Sequence, residues 1–372
     1  MSNPALAQFS DVLDQLGDRG ASDVHLTSNR GAFWVKDKQT RHIGNFPLDT
    51  GAILGALLEH TVPGGEAALK QRHQVGSSFD EGGKYRGRVA IAKEQGGLSG
   101  TLRIISRDIP TVNDLGLPKL VVGQIARPSG LVLLVGQTGS GKSTTIAAMV
   151  NLVNQMQETG IYTLESPIEY LYPAGKSLVV QREVGVHVES FSKGIEDAKR
   201  RHPRIIVVGE ILNVETARSA LLAATSGHLV VSTMHAGTAA EAVDSFTSMF
   251  TPEEQGLVRT QLAQSLLSVI AQQLIPKLGG GLALAQEIAF NTPAMAELLR
   301  GSGSRSNDTK FIQQLLLGDG GKDGMVAMEE SLAKLVRTEQ LSLESAYAAA
   351  RDRNAFDEKL TAVGIAPRPI AA

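Results

Sequence analysis

Apolar positions along this chain follow two grammars. Up to about residue 106 they come in short stretches. Asp23-Val24-His25-Leu26 and Ala32-Phe33-Trp34-Val35 read as strands split by Ser28-Asn29-Arg30-Gly31, a turn signal. Ile53, Leu54, Leu57 and Leu58 recur at helical spacing. They predict a helix between this pair and a second strand set at Tyr85–Ala92 and Ser99–Ile105, with Gly82-Gly83 and Gly96-Gly97 as hairpin breaks. Asp108 to Pro128 carries three prolines and reads as a connector. From Ser129 the pattern becomes strand, turn, helix, repeated. Its apolar strands are Leu131–Val135, Ile161–Leu164, Leu178–Val180, Ile205–Val208 and Leu229–Thr233. Helical patterns between most of them predict a largely parallel, helix-covered sheet. Beyond about residue 251 the expectation is mostly helix, opened by Thr251-Pro252-Glu253-Glu254, a capping residue with a first-turn proline and an N3 glutamate. The fold class is therefore α/β. A small α+β domain (1–106) and a linker (107–128) precede the sheet domain (129–290), and a helical segment (291–372) follows it.

Composition narrows the classes. The 372 residues are 42% hydrophobic and 20% charged, enough for two or three cored domains. No apolar run approaches the ~18 residues of a membrane span, and Asp11 and Asp14 interrupt the start, against a secretory signal. The chain has no cysteine, which excludes disulfides, thiolate zinc sites and cysteine nucleophiles and suits the cytoplasm. A net charge of −2 with 16 aromatic residues argues against strong direct nucleic-acid binding, which uses basic tracks and stacking rings.

Gly136-Gln137-Thr138-Gly139-Ser140-Gly141-Lys142-Ser143 matches G-x-x-x-x-G-K-[ST] throughout, between a strand and a helix with Ile146, Met149, Val150 and Val153 on one face. Chance supplies such a match in roughly one chain of this length in fifty. Glycines let backbone N–H groups turn inward on phosphate oxygens, and the helix N-terminus adds partial positive charge. Lys142, read as a loop residue, reaches the β- and γ-phosphates, and Ser143 holds Mg²⁺ while Thr144 extends the motif. The cofactors implied are ATP and Mg²⁺.

Glu210 ends Ile205-Ile206-Val207-Val208-Gly209, and strand ends of an open α/β sheet border the ligand crevice. An acid after apolar residues is weak evidence alone, and the phosphate loop upstream makes Glu210 a candidate for metal or γ-phosphate. Glu165 follows Ile161–Leu164 in the same way and can align water, or be a surface acid in a proline turn. His235 ends Leu229–Thr233, where a γ-phosphate sensor or an ordinary turn histidine both fit. His228 reads as a helix C-terminal partner.

Taken together, the motif set resembles the secretion and pilus ATPase superfamily, from Ser22-Asp23-Val24-His25-Leu26 to about Pro293. The likeness rests on Gly136–Ser143, Leu164-Glu165-Ser166-Pro167-Ile168-Glu169, Val180-Gln181-Arg182-Glu183-Val184, Val208-Gly209-Glu210 and Thr225-Ser226-Gly227-His228-Leu229-Val230 with Ser232-Thr233-Met234-His235. The resemblance implies a RecA-like core behind a PAS-like N-terminal domain, and a homo-hexamer that hydrolyses ATP. It also implies peripheral attachment to membrane-embedded secretion or pilus components at the cytoplasmic face of the inner membrane, without insertion. In the family, glutamates in the positions of Glu165 and Glu210 polarise water and work at Mg²⁺, and the histidine in the position of His235 contacts the nucleotide region. Arg86, Arg88 and Arg103 resemble its arginine contributors.

Three departures stand out. Ser166 replaces the aspartate of E-D-P-I-E, which looks like the DotB/TraJ branch of type IVB secretion and conjugation motors, with pilus retraction as the alternative. His202-Pro203-Arg204 replaces D-P-D, and Ile211-Leu212-Asn213 stands where relatives carry an Arg-Asp pair. The last keeps a weakly hydrolysing assembly subunit in view.

Overall fold

The computed structural model describes residues 3–36, 39–44, 49–62, 64–301 and 308–367. Two compact units form, one on Met1–Ile109 with Glu169–Leu171 and one on Pro110–Ile168 and Tyr172–Ala372.

In the first unit, strands β1 (Asp23–Thr27), β2 (Gly31–Lys36), β3 (Gln39–His42), β4 (Gln74–Phe79), β5 (Tyr85–Glu94) and β6 (Gly97–Ser106) build an antiparallel sheet ordered β3-β2-β1-β6-β5-β4. Helices α1 (Pro4–Asp18), α2 (Thr50–Thr61) and α3 (Gly65–Arg72) accompany it. Leu6, Phe9 and Leu13 of α1 and Leu54 and Leu57 of α2 pack with Val24, Leu26, Val89, Ile91 and Leu102 of the sheet. Helix α1 lies outside the elements that the hydrophobic pattern predicts. Asn3 caps it by accepting from Ala5 N–H at 2.9 Å, with proline in the first turn.

The second unit carries β7 (Gly130–Val135), β8 (Gly160–Glu165), β9 (Leu178–Glu183), β10 (Ile205–Val208), β11 (Leu229–Met234), β12 (Leu266–Pro276) and β13 (Leu282–Phe290), ordered β13-β12-β7-β11-β10-β8-β9. All neighbours are parallel except β12 and β13. Its helices are α4 (Lys119–Gly123), α5 (Lys142–Met156), α6 (Phe191–Lys199), α7 (Val214–Thr225), α8 (Ala239–Ser248), α9 (Pro252–Ser265), α10 (Pro293–Arg300), α11 (Asp308–Leu317), α12 (Met328–Arg337), α13 (Leu343–Ala349) and α14 (Arg353–Ala362). Alternate residues of β7 enter two cores. Leu131, Leu133 and Val135 face one that holds Ala217 and Leu221 of α7, and Val132 and Leu134 face the other, with Met149 and Val150 of α5. Burial on both faces is why these strands read as unbroken apolar runs.

Two expectations are corrected here. The stretch after residue 251 opens with helix α9 as expected, but it is not mostly helical up to residue 290, because β12 and β13 add an antiparallel hairpin to the sheet beside β7. Asp108–Pro128 is more than a connector, since Val121 and Ile125 are buried with α5 and the sheet. Among the described residues no helix is long and apolar enough to cross a membrane.

Candidate functional site: a nucleotide edge

Parallel register brings the candidate residues to one edge. Met234 pairs with Val135, Ala271 with Val135, and Val208 with both Leu164 and Ser232. The residues just beyond these pairs are Gly136, His235, Glu165 and Gly209-Glu210 at the carboxyl ends of their strands, and Gln272 midway along β12. Strands lie about 4.8 Å apart, so Glu210 sits roughly 10 Å from the β7 line and Glu165 roughly 14 Å. Of the two acids, Glu210 is the nearer to the phosphate loop.

The loop folds as its glycines require. Gly136, Gly139 and Gly141 have φ of +148°, +78° and +90°. At Gly136 a Cβ would lie 2.5 Å from the carbonyl oxygen of Gln272, so β12 closes against the loop. Lys142 is the first residue of α5, buried rather than exposed in the loop. Its Nζ donates to the carbonyls of Gly136 at 2.7 Å and Gln137 at 3.0 Å, holding the loop in a ring. The N-cap of α5 is Gly141, which brings no capping side chain, and a helix start of that kind offers its N–H groups and dipole to an anion. Gln137, Thr138, Gly139 and Ser143 are exposed, Thr144 is half-buried and Ser140 is buried.

Gly209 lets the acids approach. Its N–H donates to Leu164 O at 2.7 Å, and a Cβ there would lie 3.1 Å from that oxygen. Thr163 Oγ1 at 2.6 Å and Gln181 Nε2 at 3.2 Å donate to Glu165 Oε1. Glu210 Oε1 lies 2.7 Å from His235 Nε2, so the acid and the histidine form one pair. Thr233 Oγ1 donates to Gly209 O at 2.7 Å, tying the two strand ends that carry them.

Gln272 belongs to this edge and escapes the sequence reading, which takes β12 for helix. It is buried, and its Nε2 donates to Thr145 Oγ1 of α5 at 2.9 Å. Its backbone contact with Gly136 is a tertiary feature with no local signal. The His228 ring does not partner a helix end but lies with Nδ1 2.8 Å from Pro203 O, at the opposite edge of the sheet.

In the first unit the arginines share one sheet face. Arg86 and Arg88 are two apart on β5, and Arg103 is the cross-strand partner of Arg88. Arg86 is buried, and Arg103 Nε donates to Asp23 Oδ1 at 3.2 Å.

The donor set suits Mg²⁺. Ser143 and Glu210 offer hard oxygen ligands, and among the described residues no cluster of three or more His, Asp or Glu forms a closed site.

Residues 99–362 match the Type II/IV secretion system protein family. The chain belongs to that family. It is 36% identical over 339 residues to the type IV pilus retraction ATPase PilT of Pseudomonas aeruginosa, covering 91% of this chain and 96% of that one. The crystal structure of the pilus retraction motor PilT with bound ADP superposes with a TM-score of 0.82 at 33% identity, over 94% of this chain and 98% of that one. The Legionella pneumophila ATPase DotB shares the fold, with a TM-score of 0.76 at 24% identity over 92% and 93% of the two chains. Identity thus runs higher toward these pilus retraction relatives than toward DotB. The chain is a motor ATPase of this family, related to components of pilus and secretion machines.

Proposed function

We propose that this chain is the ATP-hydrolysing motor of type IV pilus retraction, working as a homo-hexamer at the cytoplasmic face of the inner membrane on a membrane-embedded pilus machine. The observation that carries this is the nucleotide edge itself, in a chain alike over nine-tenths of its length to a retraction ATPase. The reading takes 1–106 as the N-terminal domain, 129–290 as the motor core and 291–372 as its C-terminal segment.

ATP binds with its phosphates in the Gly136–Ser143 loop, and Lys142 turns from the carbonyls of Gly136 and Gln137 to the β- and γ-oxygens. Mg²⁺, held by Ser143 and Glu210, supplies charge neutralisation on the phosphates. His235 fixes the Glu210 carboxylate and senses the γ-phosphate from the next strand. Glu165, farther along the edge and oriented by Thr163 and Gln181, aligns the attacking water. One or more of Arg86, Arg88 and Arg103 of a neighbouring subunit supplies the further cation that charge building on the γ-phosphate calls for. The E-S-P-I-E sequence favours a second reading, a type IVB secretion or conjugation motor.

A chromosomal Lys142→Ala replacement in the source bacterium separates the two. Retraction failure leaves cells with more surface pili and no pilus-driven motility, with secretion and conjugative transfer unchanged. Normal pilus number and motility with lost transfer overturns the retraction assignment in favour of the second reading.

A further inference from the structure

The loop after His235 is pinned from the far end of the chain. Gly237 N–H donates to Glu241 Oε2 at 2.7 Å, and the Gly237 carbonyl accepts from Nη2 of Arg351, in the turn between α13 and α14. A Cβ on Gly237 would lie 2.8 Å from Glu241 Oε2, so the loop is pinched where the two bonds meet. Behind Arg351 stands Glu287 of β13, fully buried. Its Oε1 accepts Ala239 N–H at 2.7 Å, and its Oε2 lies 3.4 Å from Nη1 of Arg351. The turn is itself held by Glu329 of α12, also fully buried, whose Oε1 accepts the N–H groups of Arg351 at 3.3 Å and Asp352 at 3.2 Å. Two buried carboxylates are costly, and an arginine one-third exposed recovers little of that cost as a plain ion pair. What the arrangement does achieve is a fixed guanidinium on one backbone carbonyl, two residues from His235.

We propose that Arg351 is a positioning residue for ATP hydrolysis, holding the Gly237 carbonyl so that His235 stays on Glu210, and that helices α12–α14 thereby govern the nucleotide edge. The inference rests on the reading that the Glu210–His235 pair works at the γ-phosphate. Those helices share a core of Met328, Leu332, Leu341, Phe356 and Leu360 with Ala283 and Ala285 of β13, so Arg351 is carried on a cored unit fastened to the sheet.

The test is a double-mutant cycle on the full chain, reading kcat and KM for ATP. Arg351→Ala should lower kcat about 10- to 100-fold, since a misplacement near 1 Å costs on that order. KM and binding of a fluorescent ATP analogue should stay within about threefold. Arg351→Lys, which reaches one partner at a time, should recover part of the rate. Arg351→Ala combined with His235→Ala should be no slower than His235→Ala alone. Additive losses would overturn the inference, because Arg351 would then act independently of His235. Full turnover by His235→Ala alone would instead overturn the reading of the edge on which the inference stands. If Arg351→Ala fails to fold, Arg351→Met, which keeps most of the stem but has no donor for the Gly237 carbonyl, takes its place. It should show the same lack of additivity with His235→Ala, and additive losses there overturn the inference equally.

Discussion

Replacing Glu287 by glutamine should cost little stability at neutral pH and remove a slope in stability against pH. The amide keeps the shape of the side chain and an oxygen for Ala239 N–H, which stands 2.7 Å from Oε1 of the native carboxylate. It loses the charge facing Arg351 at 3.4 Å and turns an amide NH₂, a donor, toward that guanidinium. Burial pushes the Glu287 carboxyl above its ordinary value of 4.5, while the Ala239 N–H and Arg351 oppose this and the charges of Glu329 and Glu241 add to it. A raised carboxyl pKa means that the folded chain holds a proton the unfolded chain has released. Stability is then fully present below about pH 4.5 and falls as pH rises through the raised value. Each unit of elevation corresponds to about 1.4 kcal/mol. Above the raised value the ionised Glu287 is therefore a net burden, in line with buried pairs whose desolvation exceeds their attraction. Glu287→Gln should lie within about 1 kcal/mol of wild type there or exceed it, while wild type gains on the variant as pH drops toward 4.5. Urea unfolding followed by circular dichroism at intervals from pH 4.5 to 8, taken as the difference between the two proteins, measures this. A wild-type advantage that grows with rising pH would show Arg351 to outweigh burial and refute the reasoning.

Two further substitutions test the loop. Lys142→Ala should abolish phosphate release and, because it deletes two bonds to loop carbonyls, should also lower stability by about 1–3 kcal/mol with the fold retained. Thermal melting beside a phosphate assay reads both. Gly136→Ala places a methyl against Gln272 O, an atom of the sheet backbone that cannot swing aside, at a φ that side chains rarely adopt. Nucleotide titration should show weakened ATP binding together with a loss of about 1–3 kcal/mol, and normal binding would mean that β12 does not brace the loop.

The sequence announces those parts of the site whose physics is local. A glycine loop needs its glycines and its lysine in one run, and the strands after Ser129 declare themselves because both faces are buried. Glu165, Glu210 and His235 are legible as strand-end residues, and parallel register then aligns them. β12 and β13 are not legible as strands. Their Ala, Leu and Gln residues favour helix in isolation, and pairing with β7 overrides that preference. The sign available is Gly279-Gly280-Gly281 between two apolar runs, each glycine at positive φ, which marks a hairpin. With the strands go Gln272 and Glu287. The network around Arg351 joins residues 114 positions apart, and nothing short of the fold could gather it.

The departures from the family pattern sort by the edge of the sheet they occupy. Arg204 stands at the amino end of β10, away from the nucleotide edge. It donates to Ile125 O at 3.2 Å, Arg127 O at 3.3 Å and Gln157 Oε1 at 3.0 Å, fastening the segment before β7 beneath the sheet. An aspartate there has no proton to donate to any of those oxygens, so the arginine serves structure at that edge. Ile211-Leu212-Asn213 lies at the nucleotide edge, yet two of its members are also accounted for by the fold. Ile211 is buried in the core and Asn213 caps α7, its side chain accepting Thr216 N–H at 2.9 Å. Leu212, 62% exposed and one residue beyond the buried Ile211 that follows Glu210, has neither of these roles. A weak-hydrolysis reading built on this tripeptide therefore narrows to one exposed leucine, while the loop, the Glu210–His235 pair and Glu165 stand intact beside it.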